Sequence, residues 1–127
     1  MVSFMRIYVD ASGDSHFGEV DIEYESADFV PPAPPVLMSG PAGASAYSFE
    51  VVPSGWHGDW HPVPQRLLAV YLSGSGEMTA SDGETRPLLP GTVLLADDTI
   101  GKGHISRVTG SGEMHVLILL LPDWDNV

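Results

Sequence analysis

The chain of 127 residues has no cysteine and few basic residues. Without cysteine the fold has no disulfide and the chemistry has no thiolate, which suits a reducing cytosol, so we expect a cytoplasmic protein. Five Lys and Arg stand against 17 Asp and Glu, which gives a formal net charge of −12. Because that charge repels phosphate backbones and anionic lipid surfaces, neither nucleic acid nor a membrane is an expected partner.

Long apolar runs are also missing from the sequence. The longest, residues 116–121, is far shorter than the roughly 20 residues that a membrane-spanning helix needs. The N-terminal residues do not place a long apolar stretch behind a basic region, so no export signal is expected. A chain of this length is expected to form one domain with one core and one site.

Short apolar or alternating runs recur about every ten residues between clusters of Gly, Pro, Asp and Ser, with almost no helical periodicity. This pattern is typical of sandwiches and barrels, so the sequence predicts an all-β fold. The predicted strands are residues 6–9, 20–24, 47–52, 67–72, 77–80, 92–95, 104–108 and 114–121. Glycine-containing segments at residues 73–76, 81–83 and 89–91 are predicted hairpin turns, because reversals need the positive φ that glycine adopts easily.

Four prolines lie within residues 29–35. Proline cannot donate the hydrogen bonds of a sheet interior, so this segment is predicted to be an extended polyproline connection. It divides the chain into an N-terminal β arm with its connection, residues 1–35, and a main barrel, residues 36–127. An arm joined in this way can pack on its own barrel or on that of a partner.

One segment with regular spacing carries a family resemblance. The first motif of the cupin superfamily has a glycine, two histidines, a glutamate and a closing glycine, and the corresponding places here are held by Gly55, His61, Val63, Leu67 and Gly74. The chain thus resembles a small single-domain cupin over roughly residues 47–121. The resemblance implies a double-stranded β-helix, or jelly-roll, barrel with a degenerate set of metal ligands.

The second cupin motif is partly kept. Its places are held, with a short insertion and no proline, by Gly91, Thr99, Gly101 and His104. Val108 stands where the family usually has asparagine. Typical cupins use three imidazoles and a carboxylate to bind Fe, Mn, Ni or Zn, and this chain keeps two of those four groups.

The resemblance therefore favours a protein without a cofactor, although a divalent metal stays possible as an alternative. His61 and His104 would supply two ligands in that case. A third ligand from Asp59, His57 or His115 would restore a site of two histidines and one carboxylate, or of three histidines.

Residues two apart on a strand face the same side, so Asp59, His61 and Val63 are expected to project together, toward the interior of a cupin-like barrel. Asp59 either belongs to the site or caps a turn before the strand. Trp56 and Trp60 flank the histidines and either wall a ligand pocket or fill the core.

Two arginines stand out in so acidic a chain. Arg66 and Arg107 are expected to form ion pairs with nearby carboxylates, and the alternative is that they anchor a carboxylate or enolate of a ligand. The residues assigned to substrate binding are Trp56, Asp59, Trp60, Val63, Leu67 and Arg66.

With Val63 and Leu67 in place of polar ligands, the predicted pocket is more apolar and keeps two imidazoles. Such a cavity with a few converging polar groups is the usual form of a small-molecule site, and histidine serves as acid or base near neutral pH. The leading hypothesis is a metal-independent enzyme in which His61 and His104 are catalytic. It would isomerise, cyclise or eliminate from a small, partly apolar organic substrate.

Two alternatives to this function stay open. One is a metal-dependent cupin oxygenase, lyase or isomerase, and the other is a non-catalytic ligand-binding or sensor module. We also expect a homodimer, because cupins of this kind are often dimers and the arm can lend a strand to the sheet edge of a partner.

Overall fold

The computed structural model describes residues 1–122, and in this range the protein is all-β, as the sequence predicts. The strands are β1 (Ser3–Val9), β2 (Ser15–Asp21), β3 (Tyr24–Ala27), β4 (Val36–Ser39), β5 (Ala46–Val52), β6 (Leu67–Ser73), β7 (Gly76–Ala80), β8 (Thr85–Leu88), β9 (Val93–Ala96), β10 (His104–Val108) and β11 (Met114–Leu120). Within the described residues there is no helix that would be long and apolar enough to cross a membrane.

The strands form sheets of six, three and two strands. The large sheet has the order β2-β1-β9-β6-β11-β5, in which β1 and β9 are parallel and the other neighbours antiparallel. The small sheet has the order β10-β7-β8, and β3 pairs with β4 alone. Both larger sheets keep open edges in residues 1–122, so the described strands make a β-sandwich and do not close into the predicted barrel.

The core lies between the large and small sheets. Alternate residues of the strands in these two sheets point inward, as the two-residue period of a strand requires. Ile7, Leu94 and Val116 from the large sheet meet Met78 and Leu88 from the small sheet in one buried cluster. The two sheets therefore pack face to face around a common apolar layer.

The N-terminal segment divides into two parts. Strands β1 and β2 belong to the large sheet, and Ile7 and Phe17 are buried in its core. Strands β3 and β4 instead form an exposed hairpin, and the proline-rich residues 29–35 connect them. The connection contains a turn in which the Ala33 amide donates to the Val30 carbonyl at 3.0 Å. The segment predicted to be an extended linker is thus the reversal of this hairpin.

A stretch outside the named strands extends the small sheet at the free edge of β10. The His61 and His104 backbones exchange two hydrogen bonds of 3.1 and 3.0 Å, and the Gly58 amide donates to the Ser106 carbonyl at 2.9 Å. Further along, the Val108 amide donates to the Trp56 carbonyl at 2.8 Å. Residues 56–61 therefore run antiparallel to β10 and place His61 beside His104.

Candidate functional site

The two histidines of the cupin-like motifs lie side by side. They are direct partners in an antiparallel bridge, and directly opposed residues of such a pair point to the same face. Their ring centroids are 4.9 Å apart, with 54° between the ring planes. The structure thus brings together His61 and His104, which the sequence separates by more than forty positions.

The close approach of the two histidine backbones depends on Gly103. This residue has φ of +75°, in the left-handed region, and a Cβ here would overlap the backbone carbonyl group of His61. The Gly103 carbonyl in turn accepts a 2.7 Å hydrogen bond from the buried Ser15 hydroxyl. Strand β2 therefore fixes the loop that delivers His104 to the site.

A cavity of about 440 Å³ opens between the two sheets beside the histidines. Its volume falls in the range of small-molecule sites, which is about 300–1,000 Å³. Most of its wall is apolar and includes Val63, Leu67, Ala69, Leu94, Met114 and Val116. Polar side chains interrupt this wall on both sides of the cavity: Ser48, Glu50, His61, Tyr71, His104, Ser106 and Arg107.

His104 is held by a buried carboxylate. Its Nδ1 lies 2.6 Å from Asp98 Oδ2, and both side chains are shielded from solvent. Because a carboxylate only accepts, we assign the proton to Nδ1, which leaves Nε2 with a lone pair. Within residues 1–122 the other oxygen of Asp98 makes no hydrogen bond. The Nδ1–H of His104 is therefore the side-chain donor that stabilises this buried carboxylate.

His61 has a different environment, at the exposed mouth of the cavity. Its Nδ1 lies 2.8 Å from the Asp59 carbonyl oxygen, which assigns the proton to Nδ1 and leaves Nε2 as the acceptor. Asp59 thus contributes its backbone to the site, and its exposed side chain does not line the cavity.

The facing sheet supplies Tyr71 and Glu50, which the motifs did not indicate. Val116 pairs with Glu50 on one side and with Tyr71 on the other, so the three form a row on the inner face. Burial of Tyr71 raises the pKa of its hydroxyl well above the usual 10.0, and the negative charge of Glu50 raises this pKa further. The hydroxyl therefore keeps its proton at neutral pH.

The other residues assigned to substrate binding are only partly brought together. Trp56, Val63 and Leu67 line the cavity, whereas Trp60 is exposed and lies outside its lining. Arg66 also lies outside the lining, and its Nε donates to Asp97 Oδ1 at 3.0 Å.

The predicted ion pairs of the two arginines are confirmed. Arg66 pairs with Asp97, and Arg107 pairs with Glu77 at 2.6 Å. His57, one of the possible third ligands, lies outside the cavity lining, in a neighbouring depression that shares Ser106 and Arg107 with the cavity, and its Nδ1 is 3.3 Å from the Gly58 carbonyl oxygen.

Among residues 1–122, no three side chains of the types His, Cys, Asp or Glu are arranged to hold a metal ion. His61 and His104 present two nitrogens, but Asp59 stays outside the cavity lining and His115 is 3.0 Å from Glu113. The described residues therefore do not fit a metal site with three protein ligands.

The described residues thus form an all-β sandwich with a cavity that two neighbouring imidazoles line. No family model matches the sequence, and no curated protein matches it. One similar solved structure is SPY1581, a conserved protein of unknown function from Streptococcus pyogenes, with 19% identity and a TM-score of 0.46 over 61% of this chain and 64% of that chain. The present chain thus spans less than two thirds of that protein.

A second similar solved structure is protein NMB1881 from Neisseria meningitidis. It has 14% identity and a TM-score of 0.46, over 77% of this chain and 82% of that chain.

Proposed function

We propose that the protein is a metal-independent enzyme of the cupin type that moves protons on a small, partly apolar organic substrate. The observation that carries this proposal is the buried pair Asp98–His104, whose imidazole lines an apolar cavity next to a second imidazole. The reaction class is isomerisation, cyclisation or elimination, in which a proton leaves one atom of the substrate and a proton is delivered to another. Cytoplasmic location belongs to the same proposal and rests on the absence of cysteine.

In this mechanism His104 is the general base. Its Nε2 takes a proton from the substrate, and Asp98 stabilises the imidazolium that results, because the buried carboxylate accepts the Nδ1 hydrogen bond. His61 lies at the mouth, so its Nε2 can exchange a proton between the substrate and solvent. The apolar wall excludes water from the reacting atoms and strengthens these interactions.

Proton transfer to carbon can be measured without knowledge of the natural substrate. Wild-type protein would be incubated in D₂O with a panel of cyclic and aryl ketones, and deuterium uptake at the carbon next to the carbonyl followed by NMR. We expect the wild-type protein to catalyse this exchange. The exchange rate should fall about 10²- to 10⁴-fold in His104→Gln, which is the usual contribution of one general base. The exchange rate should also fall in Asp98→Asn, because this substitution removes the charge that stabilises the imidazolium.

His57→Gln is the matched control, because this histidine does not line the cavity. It should exchange ketones at the wild-type rate. Equal rates in wild type, His61→Ala and His104→Gln would contradict the proposal. A ligand that raises the melting temperature but undergoes no exchange or turnover would instead support the non-catalytic alternative.

A divalent-metal enzyme is the second candidate, and the adjacency of the two imidazoles is the observation that favours it. Elemental analysis of protein purified without chelators or added metal tests this candidate. About one metal atom per chain, lost in the His61→Ala, His104→Ala double variant, would support a metal site completed by further ligands.

A further inference from the structure

We propose that Tyr71 and Glu50 form the second functional wall of this site: the Tyr71 hydroxyl donates a hydrogen bond to the substrate carbonyl, and Glu50 selects neutral carbonyl compounds over carboxylates. This inference rests on the proposed function, and it names the class of substrate as neutral ketones. It also assigns roles to two residues of the large sheet, whereas the imidazoles come from the edge of the small sheet.

The first argument is the place of Tyr71. It lies on the inner face of β6, lines the same cavity as His104 and is only 7% exposed. Because the phenol stays protonated, it can only offer its O–H to an acceptor or accept a weak bond itself. A carbonyl oxygen is an uncharged acceptor of the kind that an apolar cavity can hold, and it is the acceptor that the proposed proton transfer requires.

The donor and the base complement each other in the reaction. The base His104 Nε2 takes the proton from the carbon next to the carbonyl, and the electrons of that C–H bond form a carbon–carbon double bond. The carbonyl π electrons move to oxygen, and this oxyanion accepts the hydrogen bond from Tyr71. Return of the proton from Nε2 to carbon restores the neutral imidazole, so no oxidant or further reactant is required.

The second argument is the charge of the wall. Glu50 lines the cavity from β5, at an exposed position beside the mouth. The one arginine in the described lining, Arg107, has its Nε 2.6 Å from Glu77. Glu77 thus balances the charge of Arg107, and Glu50 adds a negative charge to the wall, in a chain whose net charge is −12, so a ligand carboxylate would meet net repulsion here.

A pair of ketones of similar size tests both roles. Cyclohexanone is neutral, and 4-oxocyclohexanecarboxylate adds one negative charge. Binding of each would be measured by ligand-observed NMR at low salt, and deuterium exchange next to the carbonyl in the same samples. Tyr71→Phe removes the hydroxyl and keeps the ring, whereas Glu50→Gln removes the charge and keeps the shape.

We expect exchange of cyclohexanone to fall about 10²- to 10³-fold in Tyr71→Phe, the typical loss for one oxyanion donor, with a change of binding of only a few-fold. In Glu50→Gln the preference for cyclohexanone over the charged ketone should shrink a few-fold, and in wild type added salt should shrink it similarly. Because Glu50 is exposed, this variant is expected to fold even if Tyr71→Phe does not. Wild-type exchange in Tyr71→Phe, or an unchanged preference in Glu50→Gln, would overturn the respective role.

These failures differ from failure of the proposed function. If His104→Gln is inactive and Tyr71→Phe keeps the wild-type rate, only the donor role is lost. If wild-type protein binds cyclohexanone with a Glu50-dependent preference but exchanges no deuterium, proton transfer and the donor role are both overturned and the charge selection stands.

Discussion

His104 and His61 differ chiefly in what surrounds them. A buried carboxylate contacts the first, and a backbone carbonyl at an exposed mouth contacts the second. The proposed mechanism therefore gives the same side chain two tasks, with His104 paired to Asp98 and His61 open to solvent. At this scale the behaviour of a residue follows from the groups that its side chain contacts.

The same rule gives a pH dependence at His16, a residue away from the site. Its Nε2 is 2.6 Å from Asp10 and its Nδ1 is 3.0 Å from Asp82, so both nitrogens face carboxylates. The hydrogen bond that His16 donates to Asp10 raises the pKa of His16 above the usual 6.5, and Asp82 adds to this shift. The same contact holds the pKa of Asp10 well below its ordinary range.

Because the folded pKa of His16 is raised, its stabilisation is fully present below pH 6.5 and is lost as the pH rises through the folded pKa. The depressed pKa of Asp10 sets the acid limit, since that contribution is lost below the unfolded value of 3.8. We therefore expect wild type to exceed His16→Gln in stability at about pH 5.5 and this difference to shrink toward about pH 9. Urea unfolding of both proteins across this range measures it.

The control for this pH series is His57→Gln, whose ring nitrogen contacts a backbone carbonyl and no carboxylate. Its difference from wild type should not follow the same course with pH. A His16→Gln difference that stays constant from acid to alkaline pH would contradict the assignment.

At the scale of elements, the site depends on the antiparallel bridge between residues 56–61 and β10. Gly103 permits that bridge, because any Cβ at this position would overlap the His61 carbonyl group. We expect Gly103→Ala to cost roughly 1–3 kcal/mol of unfolding free energy and to separate the imidazoles, so that ketone exchange falls as well. Chemical denaturation and the exchange assay measure the two effects.

Gly83 offers a matched control for this substitution. It has φ of +99°, also in the left-handed region, but a Cβ there would meet open space. Gly83→Ala should thus show the backbone strain alone, with a smaller loss of stability and normal exchange. If both alanine variants behaved alike, close approach at Gly103 would not be what holds the site together.

Sequence pattern predicted most of the strands that contribute to the core, but the strand predicted at residues 20–24 covers only the last two residues of β2 and the first residue of β3. The predicted strand at residues 104–108 coincides with β10, and that at 67–72 differs from β6 by one residue. Strands β3, β4 and β8 were missed or barely overlapped by the prediction. Most residues of β3 and β4 are exposed, and β8 is half exposed and contains a proline, so their sequences show little alternation of apolar and polar residues.

The residues of the candidate site also differ in whether the sequence could predict them. His61 and His104 stand at motif spacings, so sequence alone could predict them. Asp98, Tyr71 and Glu50 reach the site through sheet register and loop packing, which join strands distant in the chain. Weak signals did exist, since Asp98 follows an apolar strand and Glu50 interrupts the apolar residues of β5, but neither predicts a partner.

In the whole molecule, acidic side chains far outnumber basic ones. All five basic side chains contact carboxylates: Arg6, Arg66, Arg86, Lys102 and Arg107. The excess of acidic groups therefore dominates the field around the protein, which opposes anionic ligands at long range. This long-range repulsion is consistent with the proposed selection of neutral substrates at the cavity.

The β3–β4 hairpin leads to the last prediction, which concerns assembly. Among the described residues its strands pair with each other and with no other strand, and a two-stranded hairpin alone is marginal in water. It also exposes Phe29, Val30, Val36 and Leu37. We predict a homodimer in which a second copy covers these side chains, with a buried interface of about 1,200–2,000 Å².

Light scattering coupled to size exclusion tests the dimer. Phe29 and Leu37 are 65% and 69% exposed, so the Phe29→Ser, Leu37→Ser variant should keep the fold of each chain while the dimer dissociates. Deletion of residues 1–35 is a poorer test, because it also removes the core strands β1 and β2. Ile100, which is 67% exposed and lies outside the hairpin, provides the control, and Ile100→Ser should remain dimeric. A monomeric wild type would refute the dimer, whereas a hairpin variant that stays dimeric would place the interface on another surface.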